Sequence, residues 1–170
     1  GQIIAGSPLM VGGGSLYLVN PGGDLLLYHH AADGSFDIGG ARVGIGWGDF
    51  ARVLSARDGH FYCISSDGTL LYYHHDASGL FDVQARRIGS GWTQFVWVGA
   101  ARLGRLYALT EGGELLLYEH DAAFTWVTQG RVLGGRWGGY RRLFTGGSGC
   151  LYAVTGDGVL LYNRHDAAGT

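Results

Sequence analysis

Short runs of apolar residues alternate with turn-forming residues along the whole chain, and no segment carries the 3.6-residue apolar period of an amphipathic helix. Two such runs cover residues 61–65 and 70–75, with Asp58-Gly59 before the first and Asp67-Gly68 between them. Asp-Gly between apolar runs indicates a β-hairpin, because a two-residue type I′ turn needs positive φ at both central positions. The pattern therefore predicts many short antiparallel strands.

The same strand pattern recurs every 45 residues. One repeat is predicted to hold strands over residues 50–56, 61–65, 70–75 and about 83–88, and the link 89–92 then enters the next repeat. Three kinds of landmark keep this interval without an insertion: apolar strand cores that begin at Leu16, Phe61, Leu106 and Leu151; the histidines His30, His75, His120 and His165; and the tryptophans Trp47, Trp92 and Trp137. A repeat of this length is a structural unit.

Four antiparallel strands per repeat of about 40–50 residues are typical of a β-propeller blade. The third strand, such as Leu70 to Tyr73, is apolar on both faces, as expected for a sheet between two neighbouring blades. We predict an all-β β-propeller domain or propeller segment over residues 1–170, with blades at about 1–45, 46–90, 91–135 and 136–170. Residues 5–11 take the first strand slot, and the fourth blade lacks its outermost strand. A closed ring of four and a segment of a larger ring or oligomer both stay open.

Composition agrees with strands and tight turns. Glycine accounts for 33 of the 170 residues, whereas ordinary proteins contain about 7%, and each interior glycine destabilises a helix by about 1 kcal/mol. The net charge is −2 and all 12 basic residues are arginines, so we expect neither nucleic-acid nor membrane binding. Cys63 and Cys150 occupy different positions of the repeat, which predicts two free thiols with packing roles.

Catalytic and metal-binding motifs are not found. The sequence has no GxSxG elbow, no HExxH and no phosphate-binding loop, so we predict a protein that is not an enzyme and uses no cofactor. The adjacent histidines His29-His30 and His74-His75 suggest metal ligands at first sight. Neighbouring residues of a strand point to opposite faces, however, so neither pair is expected to hold one ion.

The most specific motif is GxGW followed by an aromatic residue, as in Gly44 to Trp47 with Phe50 and Gly89 to Trp92 with Phe95. Together with the preceding Leu-Tyr and His positions, it resembles the repeat of tachylectin-type β-propeller lectins. The third copy departs from it, with Arg136 before Trp137, and Gln2 stands where a Trp is expected. The resemblance implies non-catalytic binding of N-acetylated amino sugars such as N-acetylglucosamine, with one site per blade. Known members have five blades, which differs from the four repeats here.

The resemblance also implies an extracellular or secreted protein, because similar repeats occur as modules of secreted bacterial hydrolases. The chain carries no signal peptide, so we expect a mature or excised piece. In the family, a loop between blades carries Asp-Asn-Trp followed by a small residue and Arg. Here Phe36, Phe81 and Trp126 take the Trp slot and the Arg slot holds Gly39, Gln84 and Gln129, while the Asp-Asn pair is absent.

The candidate carbohydrate-binding residues lie in or beside this loop, most of them at positions that recur every 45 residues, while Asp33 stands two residues after the slot that Asp76 and Asp121 occupy. They are Phe36, Phe81, Trp126, His30, His75, His120, Asp33, Asp76, Asp121, Arg42 and Arg87. Each group has a structural alternative: the aromatic residues could pack between blades, the histidines could hydrogen-bond to a neighbouring blade, and the aspartates could cap their own loops. The periodic tryptophans are expected to fill gaps between blades.

We therefore predict a lectin-like propeller with repeated sites for glycans between its blades, which gain avidity from repetition. The alternative is a structural or protein-interaction propeller, either an accessory module of a secreted enzyme or a subunit of an oligomer. The missing outermost strand leaves the edge of the last third strand open to a partner, so a homo-oligomer that completes the ring is a further expectation.

Overall fold

The computed structural model describes residues 8–10, 14–76, 78–146 and 149–165. The chain divides into two compact units, Gly1–Thr93 and Gln94–Thr170. Each unit contains two antiparallel sheets, numbered first to fourth in chain order. The prediction of an all-β chain with one sheet per repeat is confirmed, and the grouping of residues 1–170 into one domain stays a prediction.

Strands that are neighbours in sequence are also neighbours within each sheet. The first sheet comprises β1 (Pro8–Met10), β2 (Ser15–Val19), β3 (Leu25–His30) and β4 (Phe36–Gly44). The second comprises β5 (Arg52–Ser55), β6 (His60–Ile64), β7 (Leu70–His75) and β8 (Phe81–Gly89). The third comprises β9 (Trp97–Arg102), β10 (Arg105–Leu109), β11 (Leu115–His120) and β12 (Trp126–Gly134). The fourth comprises β13 (Arg142–Thr145), β14 (Cys150–Val154) and β15 (Leu160–Arg164).

The predicted strand boundaries are nearly those of the structure. The run predicted over residues 50–56 is shorter, because β5 begins at Arg52, and the fourth strand is longer than predicted, since β8 covers Phe81–Gly89. In the part of the chain that the structure describes, the fourth sheet has three strands, as the prediction of a missing outermost strand requires. Of the predicted first strand, residues 5–7 and 11 lie outside the described residues.

The turn between the second and third strands differs from the prediction. At Asp67-Gly68 only Gly68 has positive φ, at 85°, so the predicted two-residue type I′ turn is wrong there. Instead the Ser65 N–H donates to the Thr69 carbonyl and the Gly68 N–H donates to the Ser65 carbonyl, which makes a longer turn. The Asp67 carboxylate accepts hydrogen bonds from the Ser65 hydroxyl and the Thr69 N–H, and these bonds hold Asp67 outside the left-handed region.

The turn between the first and second strands of the second sheet agrees with the prediction only in part, because Arg57 also has positive φ, at 71°, and the Ala56 N–H donates to the His60 carbonyl at 2.8 Å, which leaves a loop of three residues. Asp58 and Gly59 both have positive φ, 47° and 77°, and the His60 N–H donates to the Arg57 carbonyl at 2.8 Å. The two Asp-Gly pairs therefore lie in loops of equal length that differ in backbone conformation, since Asp58 has positive φ and Asp67 does not.

A short 3₁₀ helix, which the strand pattern did not predict, begins at each periodic tryptophan. These turns are Trp47–Asp49, Trp92–Gln94 and Trp137–Gly139. The backbone N–H of each tryptophan donates to a hairpin carbonyl of the preceding sheet, at 2.8 Å from Trp47 to Gly23 and 2.9 Å from Trp137 to Gly113. No helix in the described ranges is long and apolar enough to cross a membrane.

The glycine that opens the GxGW motif makes room for the indole ring. A Cβ atom on Gly44 would collide with Nε1 of Trp47, and one on Gly134 would lie 3.2 Å from Nε1 of Trp137. The motif is therefore a steric device that lets the tryptophan fold back against the end of the fourth strand.

Each unit has its apolar core between its two sheets. In the first unit, Tyr17, Val19 and Leu25 of the first sheet meet Phe61 and Cys63 of the second. In the second unit, the corresponding core comprises Ala101, Tyr107, Leu115, Leu117 and Leu151, with Trp137 packed against it. Trp47 is 4% exposed and belongs to the first core. The prediction that these tryptophans fill gaps between blades is confirmed at Trp47 and Trp137.

Both cysteines are free thiols, as predicted. Cys63 is fully buried in the core of the first unit, and this burial raises the pKa of its thiol well above the ordinary value. Cys150 on β14 lies 3.4 Å from the hydroxyl of Tyr162. Both side chains therefore act through packing and local contacts.

The strained position before Trp137 yields a stability prediction. Arg136 is exposed and has φ of 70°, while the equivalent Gly46 has φ of 75° and open space where a side chain would begin. A non-glycine residue in this region costs about 1 kcal/mol. We expect Arg136→Gly to raise the free energy of unfolding by about that amount in urea titrations. Gly46→Ala should lower it similarly, and equal stabilities of all three proteins would contradict the argument.

The packing of tryptophan on glycine yields a second prediction about stability. Gly44→Ala places a methyl group in the space of the Trp47 indole, so we expect a loss of roughly 1–3 kcal/mol in the free energy of unfolding. Gly134→Ala is the matched control, because its neighbouring indole atom lies 3.2 Å away and can shift slightly. Thermal and urea unfolding should show the larger loss for Gly44→Ala, and the reverse order would refute the steric role.

Candidate functional site

A cleft of about 390 Å³ opens between the first and second sheets of the first unit. One wall is the end of β4 and the link that follows it, and the other is formed by β7 and the start of β8. The lining residues are Val43, Gly44, Ile45, Gly46, Trp47, Phe50, Tyr73, Phe81 and Gln84. The cleft lies where two repeats meet, as binding sites often do between structural units.

Aromatic rings form the floor and one wall of this cleft. The Trp47 ring centroid lies 5.6 Å from that of Phe81 and 5.1 Å from that of Tyr73. Phe50 completes the group, at 5.8 Å from both Trp47 and Tyr73. Because Trp47 is held by its backbone bond to Gly23 and by packing on Gly44, the aromatic group is fixed before any ligand arrives.

The polar side of the cleft comes from Gln84 and from the glycine-rich end of β4. Gln84 is exposed and stands next to Ala85, which has φ of 51°. The pairing of β7 with β8 shifts register between Tyr72 and His74, which marks a β-bulge at this point. Bulges turn side chains out of the regular alternation, and here Gln84 lies on the same cleft as Phe81. Its amide offers both a donor and an acceptor.

The buried His75 packs against the ring of Phe81. The His75 and Phe81 ring centroids are 5.0 Å apart, and the two residues are paired across β7 and β8. His75 is 4% exposed, and its Nδ1 is hydrogen-bonded to the Tyr17 hydroxyl of the first sheet at 2.6 Å. Burial raises the pKa of Tyr17 to about 12 and lowers the pKa of His75, so the pair is neutral at pH 7.

The second unit repeats this bond. The Tyr107 hydroxyl is hydrogen-bonded to Nδ1 of His165 at 3.1 Å, between the third and fourth sheets. In both pairs the histidine follows the tyrosine by 58 residues. The structural alternative for the periodic histidines, a hydrogen bond to a neighbouring sheet, therefore holds at His75 and His165.

The predicted aspartates cap their own loops. The Asp76 carboxylate accepts hydrogen bonds from the Ser78 and Leu80 N–H groups at 2.9 and 3.1 Å. Asp121 accepts from Ala123 and Thr125 in the same way, and Asp33 accepts from Ser35. The Ser78 hydroxyl and the Leu80 N–H lower the pKa of Asp76. These carboxylates shape the loop that leads into the aromatic position.

The remaining predicted residues are spread over other surfaces. Phe36 is 62% exposed, with its ring centroid 6.4 Å from that of the exposed His30. Trp126 packs edge-on against His120 at 5.5 Å and against Tyr118 at 5.9 Å. Arg42 and Arg87 are exposed on β4 and β8. Among the described residues that line the cleft, Phe81 is the one that the loop analysis selected as a ligand contact.

Sequence reasoning missed the partners of Phe81. The repeat pattern assigns Trp47 to packing between blades and marks Gln84 only as a departure from the family's Arg. The repeat positions of Trp47 and Gln84 could have identified both as cleft residues. Trp47 follows β4, and Gln84 follows Phe81 by three residues. Both side chains line the same cleft once the strands pair. Tyr73 is part of an apolar strand and gave no separate signal.

The described part of the second unit contains two further cavities. One of about 150 Å³ lies between its sheets and is lined by Leu115, Leu133, Trp137, Leu151, Asn163, Arg164 and His165. Asn163 stands there at the repeat position of Tyr73, and Trp137 is the one aromatic side chain among these lining residues. The other, about 630 Å³, is bounded by β9 and β13 with Glu111, Arg141 and Arg142 among its lining residues. Of these three sites, the cleft of the first unit is the one that places several aromatic rings beside a glutamine amide.

The chain matches the Tachylectin family over residues 18–169 and belongs to that family, a family of non-enzymatic lectins. Family membership indicates lectin-like carbohydrate binding. No curated protein matches the chain.

Two solved structures, with TM-scores of 0.62 and 0.50, agree on the fold. One is a symmetrical protein of de novo evolutionary emergence, 28% identical, with a TM-score of 0.62 over 90% of this chain and 70% of the other. Yeast RCC1 (Prp20), solved with Kap60 bound, is 9% identical with a TM-score of 0.50 over 95% of this chain and 44% of the other. Prp20p from Saccharomyces cerevisiae is 9% identical with a TM-score of 0.49 over 87% and 42%. The predicted propeller-type fold of repeated four-stranded sheets is confirmed.

The buried Tyr17–His75 pair predicts a pH dependence of stability. The folded state lowers the pKa of His75 below the ordinary value of 6.5, so the unfolded chain takes up more protons as the pH falls. The stabilisation is complete above pH 6.5 and is lost as the pH drops from there. Burial also lowers the pKa of His60, which adds to the trend.

Urea titrations at pH 7.5 and pH 5.5 measure this effect. We expect a lower free energy of unfolding at pH 5.5, and a smaller difference in His75→Gln. His30→Gln, which changes an exposed histidine, is the control and should keep the wild-type difference. An unchanged difference in His75→Gln would show that His75 does not cause it.

Proposed function

We propose that the protein binds glycans that carry N-acetylated amino sugars, such as N-acetylglucosamine, in the cleft between the first and second sheets. The observation that carries the proposal is the junction of the Trp47, Tyr73 and Phe81 rings with the Gln84 amide in one open cleft. The Tachylectin family membership supports the general lectin activity. The extracellular location suggested by the family resemblance is part of the same proposal.

The chemistry of the cleft suits such a sugar. A pyranose ring has an apolar C–H face that packs on aromatic rings, and Phe81 is partly exposed at the cleft for this contact. An acetamido group has a methyl group, an N–H donor and a C=O acceptor, which match an aromatic surface and an amide side chain. Gln84 and the peptide groups of residues 44–46 lie where these polar atoms would be needed.

The proposed site is small and open, so a single sugar is expected to bind weakly. Repeated sites on one molecule, or on several molecules, raise the apparent affinity for a multivalent glycan by about 10²–10⁴ when the spacing fits. Binding to immobilised chitin should therefore be much tighter than binding to the monosaccharide.

Calorimetric titration with chitin oligosaccharides tests the proposal. We expect Phe81→Ala to weaken binding roughly tenfold, which corresponds to about 1.4 kcal/mol, because the stacking surface is lost. Leu80→Ala is the matched control, since Leu80 is 66% exposed beside Phe81 and does not line the cleft. The double change Phe81→Trp with Gln84→Arg restores the family's residues at both slots and should tighten binding.

A glycan array supplies the decisive negative result. A folded protein that binds no glycan on the array would end the lectin proposal. Glycan binding that Phe81→Ala and Gln84→Ala both leave unchanged would keep the lectin activity and place the sugar outside this cleft.

A further inference from the structure

The chain contains four Asp-Gly pairs, each in a connection between two strands. They are Asp33-Gly34, Asp58-Gly59, Asp67-Gly68 and Asp157-Gly158. An Asp-Gly pair can rearrange without an enzyme, because the glycine nitrogen attacks Cγ of the aspartate and no glycine side chain hinders the approach. In a folded protein both reacting groups must be free, so the hydrogen bonds of each pair decide whether it reacts.

At three of the pairs the glycine N–H is already bonded to a carbonyl three residues before it. These bonds measure 2.9 Å from Gly34 to Ala31, 3.0 Å from Gly68 to Ser65 and 3.1 Å from Gly158 to Thr155. A nitrogen that is held in this way must first release its hydrogen bond before it can attack the neighbouring carboxyl group.

The carboxylates of the same three pairs are bonded as well. Each accepts a hydrogen bond from a hydroxyl group two residues away, which belongs to Ser35 for Asp33, Ser65 for Asp67 and Thr155 for Asp157. The Ser65 hydroxyl and the Thr69 N–H lower the pKa of Asp67 to about 2. The attack needs a neutral carboxyl group, because its hydroxyl leaves as water, so bonds that favour the charged form also slow the reaction.

Asp58-Gly59 is the exception among the four pairs. Within the described residues, neither the Asp58 carboxylate nor the Gly59 N–H takes part in a hydrogen bond. Asp58 is exposed, and the backbone is strained there, since Arg57 and Asp58 have φ of 71° and 47°. The aspartates of the other three pairs do not have positive φ. A change that lengthens the backbone at Asp58 therefore releases strain that the other pairs do not carry.

We propose that Asp58 is a site of spontaneous isomerisation to isoaspartate. The Gly59 nitrogen forms a bond to Cγ of Asp58, and the carboxyl hydroxyl leaves as water with the proton of the amide, which closes a succinimide ring. Water then opens the ring. Cleavage of the bond between the nitrogen and the main-chain carbonyl carbon gives isoaspartate, whereas cleavage of the new bond restores aspartate. The water lost in the first step is regained in the second, so no co-reactant is required.

The isomer changes the backbone at a contact with the third strand of the sheet. The Gly59 carbonyl accepts a hydrogen bond from the His75 N–H at 2.9 Å, and a Cβ atom on Gly59 would collide with the His75 carbonyl oxygen. An additional main-chain carbon moves Gly59 out of this close approach. Because His75 is bonded to Tyr17 and packs on Phe81, isomerisation is expected to weaken the junction between the first and second sheets. This consequence is independent of glycan binding.

Mass spectrometry of stored protein tests the site. The folded protein is kept at pH 7.5 for several weeks in water enriched in heavy oxygen and digested, and the peptide of each Asp-Gly pair is assayed for isoaspartate and for the label. We expect isoaspartate at Asp58 to form roughly tenfold faster than at the other three pairs, because two hydrogen bonds must open there first.

The same incubation in guanidinium chloride is the control. In the denatured chain all four pairs should react at similar rates, since the fold no longer holds any of them. Equal rates in the folded protein, a faster reaction at another pair, or no reaction at Asp58 while the denatured chain reacts would each overturn the proposal.

Urea titrations of fresh and stored samples test the consequence for stability. The unfolding equilibrium constant of the isoaspartyl fraction should rise roughly fivefold or more, as for the loss of one backbone hydrogen bond. Asp58→Gly removes the carboxyl group and suits the positive φ, so it should keep its initial stability during storage. Asp33→Gly is the matched control and should lose stability as the wild type does. A fraction rich in isoaspartate at Asp58 that is as stable as fresh protein would refute the role of the His75 contact.

Discussion

Every repeat of this chain makes a thin sheet that is apolar on both faces, and such a sheet is stable only when another sheet covers it. This requirement explains why the two sheets of each unit share one core instead of forming separate ones. It also explains why the tyrosine, the histidine and the link tryptophan recur at a constant interval, because two sheets can pack in the same way in each unit only if these residues keep the same spacing. Burial of apolar area supplies the driving force, and the Tyr17–His75 and Tyr107–His165 bonds define how one sheet is set against the next.

The candidate site follows from the same junction. The link after β4 must cross from one sheet to the next, and the GxGW motif lets its tryptophan fold back as it does so. The β-bulge in β8 displaces Gln84 toward the space left beside that tryptophan. A cleft between sheets is therefore a consequence of how the sheets are joined, and each repeat can vary its chemistry by changing two or three side chains.

The periodicity of the sequence was sufficient to predict the sheets, their order and most strand limits, because local turn chemistry and alternating apolar runs decide those features. It was insufficient for the turn at Asp67-Gly68, where the Asp67 carboxylate accepts hydrogen bonds from the Ser65 hydroxyl and the Thr69 N–H and only Gly68 has positive φ. The 3₁₀ turns at the tryptophans also escaped prediction, since three residues carry no periodic signal.

The site was predicted only in part for a related reason. Phe81 could be selected because it occupies the family's aromatic slot, but Trp47, Tyr73 and Gln84 reach the same cleft from three different elements. Their meeting depends on the register of the β7–β8 pair and on the bulge beside Ala85, which no pattern along the chain reveals. Conversely, the aspartates looked like sugar ligands because of their position, and hydrogen bonds to their own loops account for them.

The most direct measurement of the central claim is a crystal structure of the protein with N-acetylglucosamine. Our account predicts density for the sugar between the end of β4 and the start of β8, with its ring against Phe81 and its acetamido group within hydrogen-bond distance of Gln84. A sugar bound on any other surface, with this cleft left to solvent, would contradict it.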